Sequence, residues 1–321
     1  MLADGLRDPV VRDLAWLLFS PDLLGATDAG ASLAQPFASD QERDATIAWL
    51  AALDDEPGAL HAHVHKPTLA RLGLYAEALL EYFLAHGPGA RLVAANLPLR
   101  VHRQTIGEVD FLVESTRGER LHWELAVKFY LHVADGENVS LANYIGPNLQ
   151  DRFDLKHMRL LKHQLMLSSR PEFASLGFEG PWQPGMFIKG RLFYHDNGDP
   201  TYPAPPLADD HLRGWWKTAS EWQGSLSGDA WDVLPRLSWL APHVLGAHEG
   251  AELAGREPAL LERVRNLRWP LMVAKYAPAL DDTWQEQSRG FIVPDHWPER
   301  AREYVRSAAL AVPDLRSVTT T

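Results

Sequence analysis

The chain has 321 residues, 42 acidic against 31 basic side chains, a formal charge of -11 and 46% hydrophobic residues, a balance that argues against a disordered polyelectrolyte or a protein coating nucleic acid by overall charge. It has no cysteine, so disulfides and thiolate metal sites are excluded and a reducing compartment fits. Residues 1–5 lack the pattern of a signal peptide and no apolar run approaches the roughly 20 residues of a membrane helix, so a cytoplasmic protein without membrane contact is expected.

In chain order, Asp8 ahead of Pro9 and the apolar residues Val10 to Leu18 predict a capped helix over 8–19, ended by Ser20-Pro21. Residues 25–39, rich in Ala, Gly, Ser and Asp, read as a surface connection, and 40–53 as a second helix. His61, His63 and His65 alternate; on one strand face they would suit a transition metal, although without nearby carboxylate or cysteine partners they read first as polar surface residues. A helix over 69–84 carries the stripe Leu69, Leu72, Ala76, Leu79, Leu80 and Phe83. At about 100° per residue Glu77 falls on the edge of that stripe and Glu81 opposite it, so Glu77 is the glutamate placed to face a sheet-side cleft. Its bland alternative is a salt-bridging boundary residue.

Gly87-Pro88-Gly89 breaks the helix, and 91–101 predicts a first core strand interrupted at Pro98. The next stretch is the most informative. Residues 106–115 alternate Val109, Phe111 and Val113 against Glu108, Asp110 and Glu114; after a polar turn containing Gly118, residues 121–130 place Glu124, Ala126 and Lys128 on one side and Trp123, Leu125, Val127 and Phe129 on the other. Two antiparallel strands that each bring a carboxylate to one level can hold Asp110 and Glu124 within reach of one divalent cation, and hard oxygen ligands suit magnesium or manganese. The plain alternative is two solvent-facing acids on an ordinary hairpin.

Residues 132–148 read as a loop long enough to be a flap. Residues 148–168 read as a crossover helix, which makes Lys156, Lys162 and Gln164 candidates by position. A strand over 185–195, with Gly190 as a bulge, is expected parallel to the hairpin. Proline-rich 196–207 reads as a linker, and the indoles Trp215, Trp216, Trp222, Trp231 and Trp239 as core before nucleobase platforms. Short strands around 230–240 and 271–276, a helix over 257–266, a final strand over 289–294 and a final helix over 298–310 complete the chain. There is no phosphate-binding loop, nucleophile elbow or internal repeat.

The strings Gly107-Glu108-Val109-Asp110-Phe111, Trp123-Glu124-Leu125-Ala126-Val127-Lys128-Phe129-Tyr130, Lys189-Gly190-Arg191-Leu192-Phe193-Tyr194 and Arg289-Gly290-Phe291-Ile292-Val293-Pro294-Asp295 resemble the bacterial DUF1853 family, from near the N-terminus to about Trp297. That family is placed with the PD-(D/E)XK phosphodiesterases. The resemblance implies an α/β protein: a restriction-endonuclease-like core of a mixed central sheet flanked by helices over 67–195, an N-terminal helical segment over 1–66, and a C-terminal α+β extension over 196–321. It further implies a metal-dependent nuclease acting on nucleic acid, DNA before RNA, with Glu77, Asp110 and Glu124 holding magnesium or manganese and Asp110, Glu124 and Lys128 catalytic. The alternative is a nuclease fold retained as an inactive binding or scaffold protein. In the superfamily pattern a lysine follows the second acid by two residues; here that position is Ala126, and Lys128 lies a further same-face step of about 6.6 Å away. Lys128 therefore takes part only if the strand bulges or the lysine leans back along the face; on a straight strand Lys156 or another basic residue has to replace it.

Overall fold

The computed structural model describes residues 5–26, 29–102, 104–133, 140–178, 180–195, 206–222, 230–279 and 282–311. The expected linker over 196–207 therefore falls outside it up to residue 205. The first helix, α1 (Pro9–Phe19), begins where its sequence demands: Asp8 Oδ1 accepts from the N–H groups of Val10 and Val11 at 3.0 and 3.1 Å, and Pro9 occupies a first-turn position that needs no donor. Ser39 caps α2 (Asp40–Asp55) by accepting from Glu42 N–H. The histidines fall on a short helix, α3 (Gly58–Val64), and its C-cap, so they share no strand face; the strand reading fails because parity alone does not report the helix that starts at Pro57-Gly58. His61 Nε2 pairs with Asp8 Oδ2 at 2.8 Å, tying α3 to α1. The helix bearing Glu77, α4 (Leu72–His86), follows a separate 3-10 turn at Pro67–Leu69.

Strands β1 (Arg91–Val101), β2 (Gln104–Glu114) and β3 (Arg120–His132) are consecutive and antiparallel, as expected, but β1 runs through Pro98, which pairs with Glu108, without the expected interruption. Next come β4 (Tyr144–Ile145), helix α5 (Phe153–Lys162) and β5 (Gln183–His195), which pairs parallel to β3. The chain continues through β6 (Arg213–Thr218), β7 (Ala230–Val233), β8 (Val244–Leu245), α6 (Ala247–Ala254), α7 (Glu257–Arg265), β9 (Leu271–Pro278), β10 (Trp284–Val293) and α8 (Trp297–Ala311). These strands form one mixed sheet in the order β1-β2-β3-β5-β6-β10-β9-β7, with β4 added to β3 and β8 to β10. The C-terminal extension thus continues the sheet of the core. No described helix is long and apolar enough to cross a membrane.

Alternation sorts β3 between two layers. Trp123, Leu125, Phe129 and Leu131 enter the core shared with α1 and α4, while Ala126 and Tyr130 pack with Phe153 and Leu160 of α5 and Ile188 of β5. Four expectations are corrected on this second side. Among the described residues of 25–39, Ala29 and Ala34 are buried, and Ala34 N–H donates to Met186 O, because the segment runs along β5. The flap expected over 132–148 contains β4, whose Tyr144 and Ile145 are fully buried; residues 134–139 lie outside the described part. The helix expected over 148–168 is α5 alone. It stops at His163, and a 3-10 segment, Gln164–Ser169, follows. Gly190 is no bulge, since the β3–β5 register runs unbroken from Leu121↔Gln183 to Leu131↔Phe193. Its glycine is required for another reason: at φ +147° a Cβ would stand 1.7 Å from the Lys128 carbonyl oxygen.

Candidate functional site at a fork in the sheet

The β2–β3 ladder ends at the rung Phe111↔Trp123, whereas β2 stays paired with β1 as far as Val101↔Gln104. Beyond that rung β2 leaves β3 and the sheet forks. Asp110 stands at the crotch, and in place of the next rung its Oδ2 accepts the Leu125 N–H at 2.9 Å. Asn96 of β1, placed between the rungs Ala95↔Phe111 and Leu97↔Val109, has φ +53°, a left-handed conformation that asparagine tolerates better than most residues. The 3-10 segment Gln164–Ser169 reaches the gap. Leu167 lies so close to Gly107 that a Cβ there would be 2.7 Å from it, and the Gln164 amide donates to Glu108 O at 3.3 Å. Gly107 of the hairpin string is thus a packing requirement.

Glu124 is 1% exposed at the same level. Its Oε1 accepts from His122 Nε2 at 2.8 Å and, more weakly, from Asp110 N–H at 3.4 Å; its Oε2 accepts from Gln164 at 2.9 Å. The other ring nitrogen of His122, Nδ1, lies 2.8 Å from the Ser168 hydroxyl oxygen, so the imidazole bridges Glu124 and Ser168. His122 and Ser168 are functional neighbours that the sequence reading missed. The period-2 offset of His122 from Glu124 was the available signal; nothing local marks Ser168.

Charge accumulates at the fork. Burial first, then the Glu124 carboxylate, raises the Asp110 carboxyl well above its ordinary value. Glu77 reaches the same field from α4: burial, then Glu108 and Glu124, push it up to about 7. The compensating cation is Lys156 on α5, half-buried and without an ion pair among the described residues; burial, then Lys128, lower its proton affinity, while Asp110 and Glu124 act in the opposite direction. Lys128 is placed elsewhere. With β3 straight between Glu124 and Lys128, their Cα atoms are about 13 Å apart at about 3.3 Å per residue. The Lys128 amine is bonded to Asp151, which also accepts from Tyr130 OH at 3.1 Å. Lys162 is exposed at the end of α5.

The donor chemistry of Asp110 and Glu124 fits a hard divalent cation. Glu77 does not complete a closed triad with them, since among the described residues no three His, Asp or Glu side chains gather closely enough to hold a metal ion as a set. Two carboxylates suffice for magnesium, which commonly keeps several of its waters.

Glu77 gives a prediction that needs no activity. Its ordinary value is 4.5, so between about pH 4.5 and 7 the native protein holds a proton that the unfolded chain has released, and stability falls as pH rises through that window. Glu77→Gln should match wild type near pH 4 and exceed it by about 1–2 kcal/mol above pH 7, a figure reduced for the water that still reaches the carboxyl. Urea unfolding across the pH range measures this; parallel curves would place Glu77 in ordinary solvent.

A family model described as "Domain of unknown function (DUF1853)" matches residues 12–293. No curated protein and no solved structure matches the chain.

Proposed function

The chain belongs to the DUF1853 family, and from that premise we propose that it is a metal-dependent phosphodiesterase of the PD-(D/E)XK, restriction-endonuclease-like kind, cleaving nucleic acid, DNA before RNA. The observation that carries the reading is the pair of mutually repelling acids at the sheet fork, half-buried Asp110 and buried Glu124, with Lys156, which makes no ion pair among the described residues, in their field. Those two acids would hold magnesium or manganese, with Glu77 beside them. The bound ion supplies Lewis acidity toward a phosphate and acidifies water.

The remaining roles belong to the chain. The Leu125 N–H fixes Asp110, while His122 and Gln164 fix both oxygens of Glu124, so the acids are pre-organised at little cost in side-chain entropy. Lys156 stabilises negative charge developing on a phosphate at the fork, the role the general PD-(D/E)XK superfamily pattern gives to a lysine two residues after the second acid, where this chain has Ala126. Glu77, which gains or loses its proton near neutrality, is suited to exchange one with water at the fork.

A second reading, a binding or scaffold protein without turnover, is favoured by Ala126 and by the hydrogen bonds that already occupy both oxygens of Glu124. Calorimetric titration with manganese, paired with cleavage of single- and double-stranded DNA and RNA, separates the two. Wild type should bind manganese in the micromolar-to-millimolar range typical of few-carboxylate sites, and Asp110→Asn with Glu124→Gln should abolish it while the fold persists. Equal binding by both proteins would move the metal elsewhere, and an inert wild type would leave the scaffold reading.

A further inference from the structure

Beyond the fork, the freed edge of β3 borders a cavity of about 340 Å³ lined by Arg71, the N-cap of α4, and Gly73 in its first turn, by Lys128 and Asp151, and by Arg236 and Trp239. At one end it reaches Gly73, where an added Cβ would lie 3.9 Å from a Glu77 carboxylate oxygen. At the other end its wall is Pro147 and Asn148. The same two residues wall a second cavity of about 490 Å³, which adds Arg263, and a third of about 340 Å³, which adds Arg268, Trp269, His296 and Arg300. Sharing these walls, the three adjoin as one trough; Asp110 and Glu124 are not among its lining residues, and it meets the acidic group at Gly73 beside Glu77.

Its charge is opposite to that of the protein. In a chain of net charge -11, the trough is lined by Arg71, Lys128, Arg236, Arg263, Arg268 and Arg300 against a single carboxylate, Asp151, which Lys128 already neutralises. Among the described residues Arg71, Arg263, Arg268 and Arg300 make no ion pair, and Arg236 lies over the Trp239 ring. Glu262, Glu299 and Glu303 share α7 and α8 with these arginines but do not line the trough. Within it Trp269 is 71% exposed, more than any other large apolar side chain described. An indole that buries so little of itself contributes little to folding, and beside free guanidinium groups it offers a stacking face in a field that attracts anions.

We propose that the trough is the path of a single-stranded polynucleotide, its phosphates held by the arginines and one unpaired base stacked on Trp269, with the strand led along the free edge of β3 to the acid fork. A duplex keeps its base faces stacked inside and gives Trp269 nothing to cover, whereas a single strand satisfies both the charge and the exposed ring. The direction of the path rests on the phosphodiesterase reading of the fork. Binding to the trough does not.

Fluorescence anisotropy with labelled single strands of DNA and of RNA of roughly 15 nucleotides, the matching duplex, and polyglutamate as competitor tests this in EDTA, where no turnover interferes. Wild type should bind a single strand more tightly than the duplex, and the tighter of DNA and RNA identifies the sugar. Trp269→Ala should weaken binding about 5- to 100-fold. Arg268→Ala with Arg300→Ala should reduce the slope of log K against log salt by about 1.4, two phosphate contacts at about 0.7 each for a single strand. All three positions are exposed, so folding is preserved, with thermal unfolding as the check. Arg100→Ala, an exposed β1 residue outside the trough, should leave the slope unchanged. The proposal fails if wild type does not bind, if the duplex binds as tightly as the single strands, if polyglutamate displaces them at equal concentration, or if Arg100→Ala lowers the slope as much as the trough pair. Intact binding without cleavage under magnesium or manganese would uphold the trough and remove the phosphodiesterase reading. Cleavage without trough-dependent binding would do the reverse.

Discussion

On the proposed phosphodiesterase reading, Lys156→Ala is expected to lower metal-dependent phosphodiester cleavage by about 10²–10⁴-fold, and Lys128→Ala by no more than a few-fold. The asymmetry follows from how α5 sits on β3. Ala126 is 4% exposed in the cluster that contains Phe153 and Leu160 of α5, so the position where the proposed superfamily's pattern has a lysine is packed into this apolar layer. Phe153, Lys156 and Leu160 are spaced i, i+3, i+7 and share one stripe. The helix that shares this layer with Ala126 therefore brings its own ammonium to the acids. For the same reason Ala126→Lys should not rescue Lys128→Ala, since the new charge would be buried among Tyr130, Ile188 and Leu160. Steady-state cleavage by the two single variants decides the matter: a large loss with Lys128→Ala and a small one with Lys156→Ala would return the charge-stabilising role to the strand.

The largest loss of stability is expected from Arg289→Ala, about 3–5 kcal/mol. This arginine belongs to one of the strings that carry the family resemblance, and its side chain is fully buried. The guanidinium donates to both oxygens of Glu286 and to the carbonyls of Trp239, Leu240 and Ala241, with 2.7 Å to Glu286 Oε2 and 2.8 Å to Ala241 O. Ala241 N–H in turn donates to Asp13 on α1 at 2.9 Å. Alanine would leave Glu286 buried without its partner and three carbonyls without donors, which is why the cost exceeds the worth of one ion pair. Lysine keeps the charge and loses the fork, so Arg289→Lys should recover only part. Urea unfolding measures both; a change below about 1 kcal/mol for Arg289→Ala would mean that the loop closes without it.

The sequence was most readable where neighbours along the chain decide the conformation. The start of β1 follows from the Gly87-Pro88-Gly89 break and the cap of α1 from Asp8-Pro9, and the parallel placement of β5 follows from the helical crossover between it and β3. What could not be read depends on partners distant in sequence. The Gln164 amide meets Glu124 because α5 ends at His163, with φ -130° and ψ -63°, and no glycine or proline marks that break. The departure of β2 from β3 is equally hidden, since Asp110 alternates like any strand residue and reveals the fork only by taking the Leu125 N–H. His61 was read by parity, but its conformation is set with Asp8, fifty-three residues earlier.

The position of β10 in the sheet bears on how the chain must be made. Among the described strands β10 is the last in sequence, yet it lies between β6 and β9 and pairs parallel to β6, Phe291 opposite Trp216. About 75 residues separate the end of β6 from the end of β10, so at about 5–20 residues per second a ribosome exposes β6 for roughly 4–15 s before its neighbour exists. During that interval the strand Arg213–Thr218, with Trp215 and Trp216 side by side, is an open apolar edge of the kind that pairs with other chains. The nascent protein is most prone to aggregate in that interval, when the two strands that bear the acids have long been synthesised and the one that covers the edge of β6 is still unmade.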